Sequence, residues 1–484
     1  MLDCDEQVDV VIIGSGVAGL SAAIEASEAG ASVIVLEKMK VTGGNTRISD
    51  GGVAAPNNYL QAKQEIEDSP QLFYEDMFKA GLGLNYPHLL KIVAEKANEA
   101  IEWTRDYLGV KYLDRLDRFG GHSVARCITT QNHSGADFIR MLSRKLKQKG
   151  VEIRTSCLLT RLLQDNRGIV SGVRIRSDYK LPDNDSGMER NIYAKSAVIL
   201  ATGGFGSDIQ FRMIQNPGLD ESVGSTNHRG ATAEGLIAAL EIRAAPVHLS
   251  WIQLGPWGCA DEKGYGRGAS FASYGVYPFG ILIDPGTGQR IVNEWADRRT
   301  RSEAILKAGH ICVGIVDNNG SEKAAESLKH SLKQGYVKAF ATLTDLASAF
   351  NIPEGQLEKT VEQYNNMVNE NGKDPFGKPL GPGVNPVVNP PFYAIRLWPK
   401  VHYTPGGVGI NSKAQVLNLN NRPIPHLFAA GEVCGGIHGA SRLGSCALIE
   451  CIVFGRIAGQ QAAAKNEIVK DTSSISIPRN RPSE

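Results

Sequence analysis

The sequence lacks the closely spaced cysteine pairs that mark many metal and haem sites. Its 484 residues include 8 cysteines, and no two of them stand in a C-x-x-C arrangement. Zinc ribbons, dithiol centres and c-type haem attachment sites all depend on that spacing, so these classes are excluded. The scattered cysteines are typical of ordinary reduced thiols, and we predict no metal site.

An excess of charge of one sign and a long apolar run are also missing. The 52 Lys and Arg residues nearly balance the 51 Asp and Glu residues, so the formal net charge is +1. This balance gives no electrostatic reason to expect binding to nucleic acid or to an anionic membrane. No apolar stretch reaches the roughly 20 residues that cross a bilayer. Because residues 1–7 are acidic, without a basic region or an apolar signal core, we predict a cytoplasmic protein.

A glycine-rich turn between two apolar strands lies near the start of the chain. The apolar run at 9–13 leads into Gly14, Gly16 and Gly19, and a small-residue helix and a second apolar run follow and end at Glu37. Glycines at this spacing form a tight turn and let the backbone approach a pyrophosphate at a helix N-terminus, while the carboxylate binds ribose hydroxyls. The pattern predicts a site for FAD or NAD.

Glycine-rich sequence is found on both sides of a segment with a different pattern of strands and helices. An apolar run at 196–200 empties into a Thr-Gly-Gly sequence, which predicts a strand that rejoins the parallel sheet. Residues 248–401 instead combine strand, turn and helix patterns of an α+β module, with a proline-rich exit linker at 374–392. We therefore predict a nucleotide-binding domain split into 1–247 and 402–484, with a capping domain at 248–401.

Several ordered motifs run through nearly the whole chain. In chain order they are 14–19, 37–38, 43–45, 50–52, 201–204, 293–294 with Arg298, 402–407, 430–432 and 438–444. Together they resemble the flavoproteins of the fumarate reductase and succinate dehydrogenase family, most closely the soluble fumarate reductase and urocanate reductase branch. The resemblance implies an α/β protein with a Rossmann-like FAD-binding domain and an inserted α+β capping domain.

The resemblance also implies FAD as the cofactor. The covalent-flavin branch carries a histidine shortly after the Gly-Gly pair, whereas this chain has Asn45 and Thr46, so non-covalent FAD is expected. The final helix, predicted over about 446–465, would direct its positive N-terminal end at the flavin. The residues that the resemblance places at FAD are Gly14, Gly16, Ala18, Gly19, Glu37, Lys38, Gly43, Gly44, Asn45, Thr46, Asp50, Gly51, Gly52, Thr202, Gly203, Glu234, Tyr403, Gly431, Glu432, Ala447 and Leu448.

Three residues carry the chemistry that the resemblance implies. His402 and Arg442 correspond to the pair that holds a substrate carboxylate, and Arg298 corresponds to the general acid beside the flavin. A carboxylate favours a bidentate guanidinium and a second donor, and an arginine can act as an acid only if its surroundings offset its high pKa. An arginine in a run such as 298–301 usually lies on a solvated helix face. Arg299 and Arg301 are the competing candidates for the role of acid.

The chain departs from this branch where fumarate reductases hold a second carboxylate. Gly255 stands where a histidine is expected, and the Thr-Glu pair that follows further on is missing from 271–278. This change argues against fumarate itself. Seven aromatic residues lie at 251–279. They either pack the core of the capping domain or form a pocket for an apolar or aromatic 2-enoate. In the second case, Tyr274 or Tyr277 would replace part of the relay that delivers protons to the general acid. The predicted substrate pocket comprises Gly51, Gly255, Trp257, Tyr274 and Tyr277.

These features predict an FAD-dependent reductase of the C=C bond of an α,β-unsaturated carboxylate. Two alternatives stay open: a 3-oxosteroid dehydrogenase of the same broad fold, and a flavin subunit that only passes electrons to a partner. Since the sequence has no haem attachment motif, electrons are expected from a separate protein or a reduced carrier.

Overall fold

The computed structural model describes residues 6–370, 372–380 and 384–464. The strands in chain order are β1 (Glu6–Ile13), β2 (Val33–Leu36), β3 (Gly52–Ala54), β4 (Cys127–Thr129), β5 (Glu152–Arg154), β6 (Cys157–Gln164), β7 (Val170–Ser177), β8 (Met188–Leu200), β9 (Pro246–Val247), β10 (Gln253–Gly255), β11 (Ile281–Asp284), β12 (Gln289–Arg290), β13 (Cys312–Val316), β14 (Val337–Phe340), β15 (Phe392–Leu397), β16 (Lys400–Tyr403), β17 (Gly407–Val408), β18 (Gln415–Leu417) and β19 (Pro423–Ala429).

Helices connect and cover these strands. In chain order they are α1 (Val17–Glu28), α2 (Gly44–Ile48), α3 (Tyr59–Lys63), α4 (Pro70–Ala80), α5 (Pro87–Glu102), α6 (Ala136–Gln148), α7 (Ile209–Gln215), α8 (Glu234–Glu241), α9 (Arg267–Phe271), α10 (Tyr277–Phe279), α11 (Arg298–Ala308), α12 (Asn318–Ser321), α13 (Ala325–Gln334), α14 (Leu343–Ala349), α15 (Gln356–Asn369) and α16 (Cys446–Ala463). Within the described part of the chain, no helix combines the length and apolar character needed to cross a membrane.

The larger sheet is the dinucleotide-binding framework that the sequence predicts. Its strand order is β18-β19-β8-β1-β2-β5, with β7 pairing β8 and β6 pairing β7. β1 runs parallel to both β2 and β8, and β19 runs parallel to β8. The four residues of β2 are all buried, as expected of a parallel strand covered by helices on both faces. The predicted return of the apolar run at 196–200 to the parallel sheet is confirmed.

Helices α1 and α16 pack against each other through bare backbone. A Cβ on Gly455 would stand 2.5 Å from the carbonyl oxygen of Ala18, and a Cβ on Gly459 would collide with the carbonyl of Ala22. Only glycine permits this approach. The contact therefore holds α16 against α1, the helix that follows the N-terminal glycine turn.

A second, antiparallel sheet of order β12-β11-β13-β15-β14 is built from the part of the sequence that lies between β8 and β18. Helices pack around it and enclose two further apolar cores, so the inserted α+β architecture is confirmed. The predicted exit linker at 374–392 is wrong, because this segment leads into β15, which pairs with β13 and β14 inside the sheet. Proline marked an irregular connection within the module. The domain boundaries at 247 and 401 stay predictions.

A buried ion network fixes the segment that precedes α11. Glu294 is 2.7 Å from Arg290 and 3.3 Å from Lys378, and Asp374 also pairs with Arg290. Glu294 further accepts a hydrogen bond of 3.1 Å from the backbone N–H of Leu282. Since a buried charge is stable only when paired and hydrogen-bonded, the network anchors the start of the helix that carries Arg298.

Candidate active site

Two cavities meet between the large sheet and the inserted module. The larger has a volume of about 350 Å³ and the smaller of about 100 Å³. Asn45, Thr46, Glu432 and Cys451 line both of them. The two cavities therefore form one elongated site, which follows the carboxyl ends of the parallel strands, where ligands bind in folds of this kind.

The glycine turn after β1 forms one wall of the smaller cavity. Gly14 has φ +108°, and a Cβ there would collide with the carbonyl of Ala201, while a Cβ on Gly19 would collide with the carbonyl of Gly14. These two glycines are required by the fold itself. At Gly16, by contrast, the nearest atom to an added Cβ is Thr46 Oγ1 at 3.7 Å. The bare backbone of Gly16 thus faces open space at the N-terminus of α1, which suits a phosphate.

Carboxylates and a lysine line the rest of the smaller cavity. Glu37, at the end of β2, accepts hydrogen bonds from Ser15 Oγ (2.6 Å) and from the backbone N–H of Met39 (2.8 Å). Lys38 lies 2.9 Å from Glu234. The carboxylate is buried at the end of the second strand, which is the position that binds ribose hydroxyls in dinucleotide sites. The donor set and the bare glycine cradle both fit the ADP half of FAD.

The larger cavity lies against the N-terminus of α16. Ala447 and Leu448 line it together with Gly52 and Tyr403. Glu432 accepts hydrogen bonds from the backbone N–H (2.9 Å) and hydroxyl (3.2 Å) of Thr404, and burial raises its pKa. A long helix that directs its N-terminal dipole into the cavity stabilises negative charge there. This environment fits a flavin ring whose reduced form is anionic.

His402 and Arg442 meet at the wall of the larger cavity. The guanidinium Nη2 of Arg442 donates to His402 Nε2 at 3.1 Å, and His402 Nδ1 lies 2.7 Å from the hydroxyl of Thr226. Burial, together with the charges of Arg298 and Arg442, lowers the pKa of His402 well below its usual value. The imidazole is therefore neutral, and its Nδ1–H donates to Thr226. The Nε of Arg442 is buried and has no hydrogen-bond partner within the part of the chain that the structure describes.

Arg298 differs from its two competitors in its surroundings. Arg299 forms an ion pair of 2.8 Å with Glu303 at the surface, and Arg301 lies 4.3 Å above the ring of Tyr277 and donates to the backbone. The buried Nη1 of Arg298 has no partner among the described residues. Burial, and then the charge of Arg442, lower the pKa of Arg298 well below its usual value. Both effects make this guanidinium a better proton donor.

Trp257 occupies the part of the site where the sequence departs from fumarate reductases. Its indole packs against Arg298 at 4.4 Å and against His402 at 5.0 Å between ring centroids. A Cβ on Gly255 would stand 3.1 Å from this indole and 3.4 Å from His402 Cβ. The missing side chain at Gly255 therefore makes room for the tryptophan. An indole replaces a charged contact at this end of the cavity.

The two tyrosines proposed for the relay have different environments. Tyr277 donates to the backbone carbonyl of Pro256 at 2.8 Å, which ties its hydroxyl to the fold. Tyr274 donates to the carboxylate of Asp50 at 2.9 Å. Burial, followed by the charge of Asp50, raises the pKa of Tyr274 well above its usual value. Only Tyr274 is hydrogen-bonded to a group that can carry a proton.

Most of the residues singled out from the sequence line the two cavities. Gly19, Gly43, Gly51 and Gly255 stand behind the walls. Gly51, for example, has φ +75° and turns toward Thr130. The residues that line the site in the structure are, among the predicted ones, Gly14, Gly16, Ala18, Glu37, Lys38, Gly44, Asn45, Thr46, Asp50, Gly52, Thr202, Gly203, Glu234, Trp257, Tyr274, Tyr277, Arg298, His402, Tyr403, Gly431, Glu432, Arg442, Ala447 and Leu448. Their roles stay predictions.

Sequence reasoning missed two parts of the site. Thr226 and Asn227 lie in an irregular loop between α7 and α8, and Asn227 accepts a hydrogen bond from the amide of Asn45. Phe119 and the Gly120-Gly121 pair line the larger cavity from another loop. The loop at 226–227 carries no periodic or motif signal. The aromatic residue followed by two glycines is a signal that could have been used.

Comparison with known proteins places this site among flavoproteins. The family described as FAD binding domain matches residues 9–448. The chain is 40% identical to the acrylate reductase flavoprotein subunit of Shewanella woodyi, over 94% of this chain and 91% of that protein. It is 35% identical to the urocanate reductase of Eggerthella lenta, over 94% and 75%. A solved structure of a flavocytochrome c3 fumarate reductase in an open conformation superposes with a TM-score of 0.76 at 33% identity, covering 95% of this chain and 79% of that one.

Proposed function

Because this chain belongs to the FAD binding domain family, in its soluble fumarate reductase-like branch, we propose that it reduces the C=C bond of an α,β-unsaturated carboxylate other than fumarate. The protein is an FAD-dependent oxidoreductase. Acrylate, urocanate and fumarate reductases are its relatives. The proposal therefore concerns the substrate class and the residues that act on it.

One observation carries the proposal. Two guanidinium groups, those of Arg298 and Arg442, each have a buried nitrogen (Nη1 and Nε) without a hydrogen-bond partner in the described ranges, and both residues line the same cavity. A buried, unpaired donor costs free energy, and more so when the group is charged. A substrate carboxylate would satisfy such donors with charge-assisted hydrogen bonds. The neutral His402 adds no charge but holds Arg442 in place.

Each residue then has a defined task. Arg442 binds the carboxylate and, by drawing electron density toward it, polarises the conjugated double bond. Bound FAD, in its reduced form, supplies the hydride. Arg298 donates a proton to the other carbon of the double bond, as its lowered pKa favours. His402 keeps Arg442 oriented through its own bond to Thr226.

Trp257 supports a monocarboxylate as the substrate. The indole fills the end of the cavity next to Arg298, and an indole offers one N–H donor and no charge to a second carboxylate. A dicarboxylate such as fumarate would leave one anionic end desolvated there. We propose a 2-enoate with an apolar or aromatic β-substituent, or none.

The test is an anaerobic substrate panel. The enzyme is reduced with dithionite, and its reoxidation is followed at the flavin absorbance with acrylate, cinnamate, urocanate, fumarate and a neutral enone. We expect at least one monocarboxylate to react faster than fumarate and the enone. Fumarate reacting faster than every monocarboxylate would contradict the substrate class. Arg298→Ala should lose at least about 100-fold in rate while retaining FAD, and Arg299→Ala, the matched surface control, should not.

The same panel separates the alternatives. A 3-oxosteroid dehydrogenase would react with the neutral enone, and Arg442→Ala would leave that reaction intact. A subunit that only passes electrons would reduce none of the enoates with an artificial donor.

We further propose that FAD is held without a covalent bond and that a separate donor delivers its electrons. Release of the flavin on acid precipitation tests the first point. The cytoplasmic location stays a prediction.

A further inference from the structure

The sequence leaves open how Arg298 regains the proton that it donates. The Thr-Glu pair expected of a fumarate reductase is missing from residues 271–278 of this chain. A guanidine that has lost its proton must be reprotonated once per turnover, because two electrons and two protons are added to each double bond. The structure must therefore offer another acid between Arg298 and solvent.

A second recess lies on the far side of the larger cavity. It has a volume of about 270 Å³, and His133, Lys323 and Glu326 lie exposed along its rim. Five residues line both this recess and the larger cavity, namely Ile48, Ser49, Asp50, Tyr265 and Tyr274. These residues form the wall between solvent and the site of Arg298. Three of them, Asp50, Tyr265 and Tyr274, have titratable side chains.

Asp50 is central to this wall. Its Oδ2 accepts a hydrogen bond of 2.9 Å from Tyr274, and its Oδ1 accepts one of 3.1 Å from the backbone N–H of Gly52. Gly51, with φ +75° and no room for a Cβ beside Thr130, fixes the turn that presents the carboxylate. The backbone thus holds Asp50 in one position, with its carboxylate exposed to both cavities.

Titratable groups surround Asp50 on both sides of the wall. Its charge acts on Arg298, Tyr265 and Tyr274 from the inserted module and on Asp117 and His133 from the other side. Asp50 and Tyr265 are the two nearby groups that raise the pKa of Arg298. Both residues line the larger cavity and the recess, so each lies between Arg298 and solvent.

We propose that Asp50, assisted by Tyr274, relays protons from the outer recess to Arg298. In each turnover the Asp50 carboxylate takes one proton from recess water and passes it, directly or through Tyr265, to the neutral guanidine left after Arg298 has protonated the substrate. The Asp50 carboxylate and the Arg298 guanidinium are both restored, and the net change is one proton taken from solvent. Asp50 is a relay residue and does not touch the substrate. The inference rests on the proposed function of Arg298.

The test compares Asp50→Asn with Asp117→Asn. Asparagine keeps the acceptor for Gly52 but cannot exchange a proton. Asp117 is a neighbouring carboxylate paired with Arg115 at 2.9 Å, and it lines neither cavity. We expect Asp50→Asn to lower kcat for the best enoate about 100-fold, with little change in KM or FAD content, and Asp117→Asn to change it less than about 2-fold. Tyr274→Phe should fall between them.

Two further readouts separate a relay from a structural role. The solvent deuterium isotope effect on kcat should rise in Asp50→Asn, because proton delivery becomes rate-limiting, and imidazole at a pH below about 7 should restore part of the rate by entering the recess. An Asp50→Asn enzyme as fast as wild type, or a slow one with an unchanged isotope effect and no rescue, would overturn the relay alone. Wild-type enzyme that reduces no enoate would overturn the proposed function and the relay with it.

Discussion

Glu450 makes the stability of this protein depend on pH in an unusual direction. Its side chain is fully buried on α16, and Oε1 has no close hydrogen-bond partner among the described residues. Oε2 accepts a weak bond of 3.6 Å from the Cys451 thiol, and the backbone N–H of Gly431 also acts on the carboxylate. Burial raises the pKa of Glu450 from 4.5 to about 8. The folded protein therefore keeps a proton on this group at pH values where the unfolded chain has lost it.

The sign and size of the effect follow from proton linkage. The free energy of unfolding contributed by this group is fully present below pH 4.5, falls as the pH rises toward about 8, and is lost above it. Each pH unit in that interval removes about 1.4 kcal/mol. Replacing Glu450 by Gln keeps the shape and removes the titration. The variant should therefore gain on wild type by about 1.4 kcal/mol per pH unit up to about pH 8.

The assay is urea unfolding of the FAD-loaded protein at pH 5.5, 6.5, 7.5 and 8.5, followed by circular dichroism. Glu95→Gln, a change at an exposed position on α5, serves as the control and should stay within a few tenths of a kcal/mol of wild type at every pH. A difference between Glu450→Gln and wild type that is constant across the four pH values would refute the reasoning.

Two further predictions concern the ligands. Arg442→Lys should weaken binding of propionate, titrated through the flavin spectrum, by about 100-fold or more, because charge-assisted hydrogen bonds contribute about 1.5–3 kcal/mol each. The control Arg299→Lys should bind propionate as wild type does. An Arg442→Lys enzyme with the affinity of wild type would contradict the carboxylate site. Gly16→Ala should fold normally by circular dichroism but retain little FAD, since its Cβ would occupy ligand space rather than protein. Gly19→Ala should instead lose soluble folded protein, since its Cβ meets the carbonyl of Gly14. Full flavin content in Gly16→Ala would show that the glycine cradle is not a phosphate site.

The elements near the cofactor could be predicted because their sequence signals are local. The strand at 9–13, the glycine turn and the carboxylate at Glu37 are fixed by neighbours in sequence, and the structure places them as expected. The final helix, predicted over about 446–465, begins at Cys446 as expected. The proline-rich stretch at 374–392 misled because proline excludes regular structure locally but says nothing about where the chain goes next.

The site residues that escaped prediction depend on tertiary contacts. Thr226 matters because His402, almost 180 residues later, needs an acceptor for its Nδ1–H. Arg298 could be separated from Arg299 and Arg301 only once the packing around each guanidinium was known. Tyr274 and Tyr277 are similarly equivalent in sequence. They differ only in which oxygen accepts their hydroxyl.

The position of β19 beside β8 has a consequence for how the protein is made. Strand β19 pairs with β8, which pairs with β1, in a sheet whose first strands are built from residues 6–36. The parts of the cofactor site contributed by Glu432, Arg442 and Leu448 follow β19 in the sequence. A ribosome synthesises the chain from the N-terminus at about 5–20 residues per second. Until β19 has been made, residues 198–200 of β8 lack their neighbour on one edge. The flavin end of the cavity is therefore incomplete until the residues that follow β19 have been synthesised.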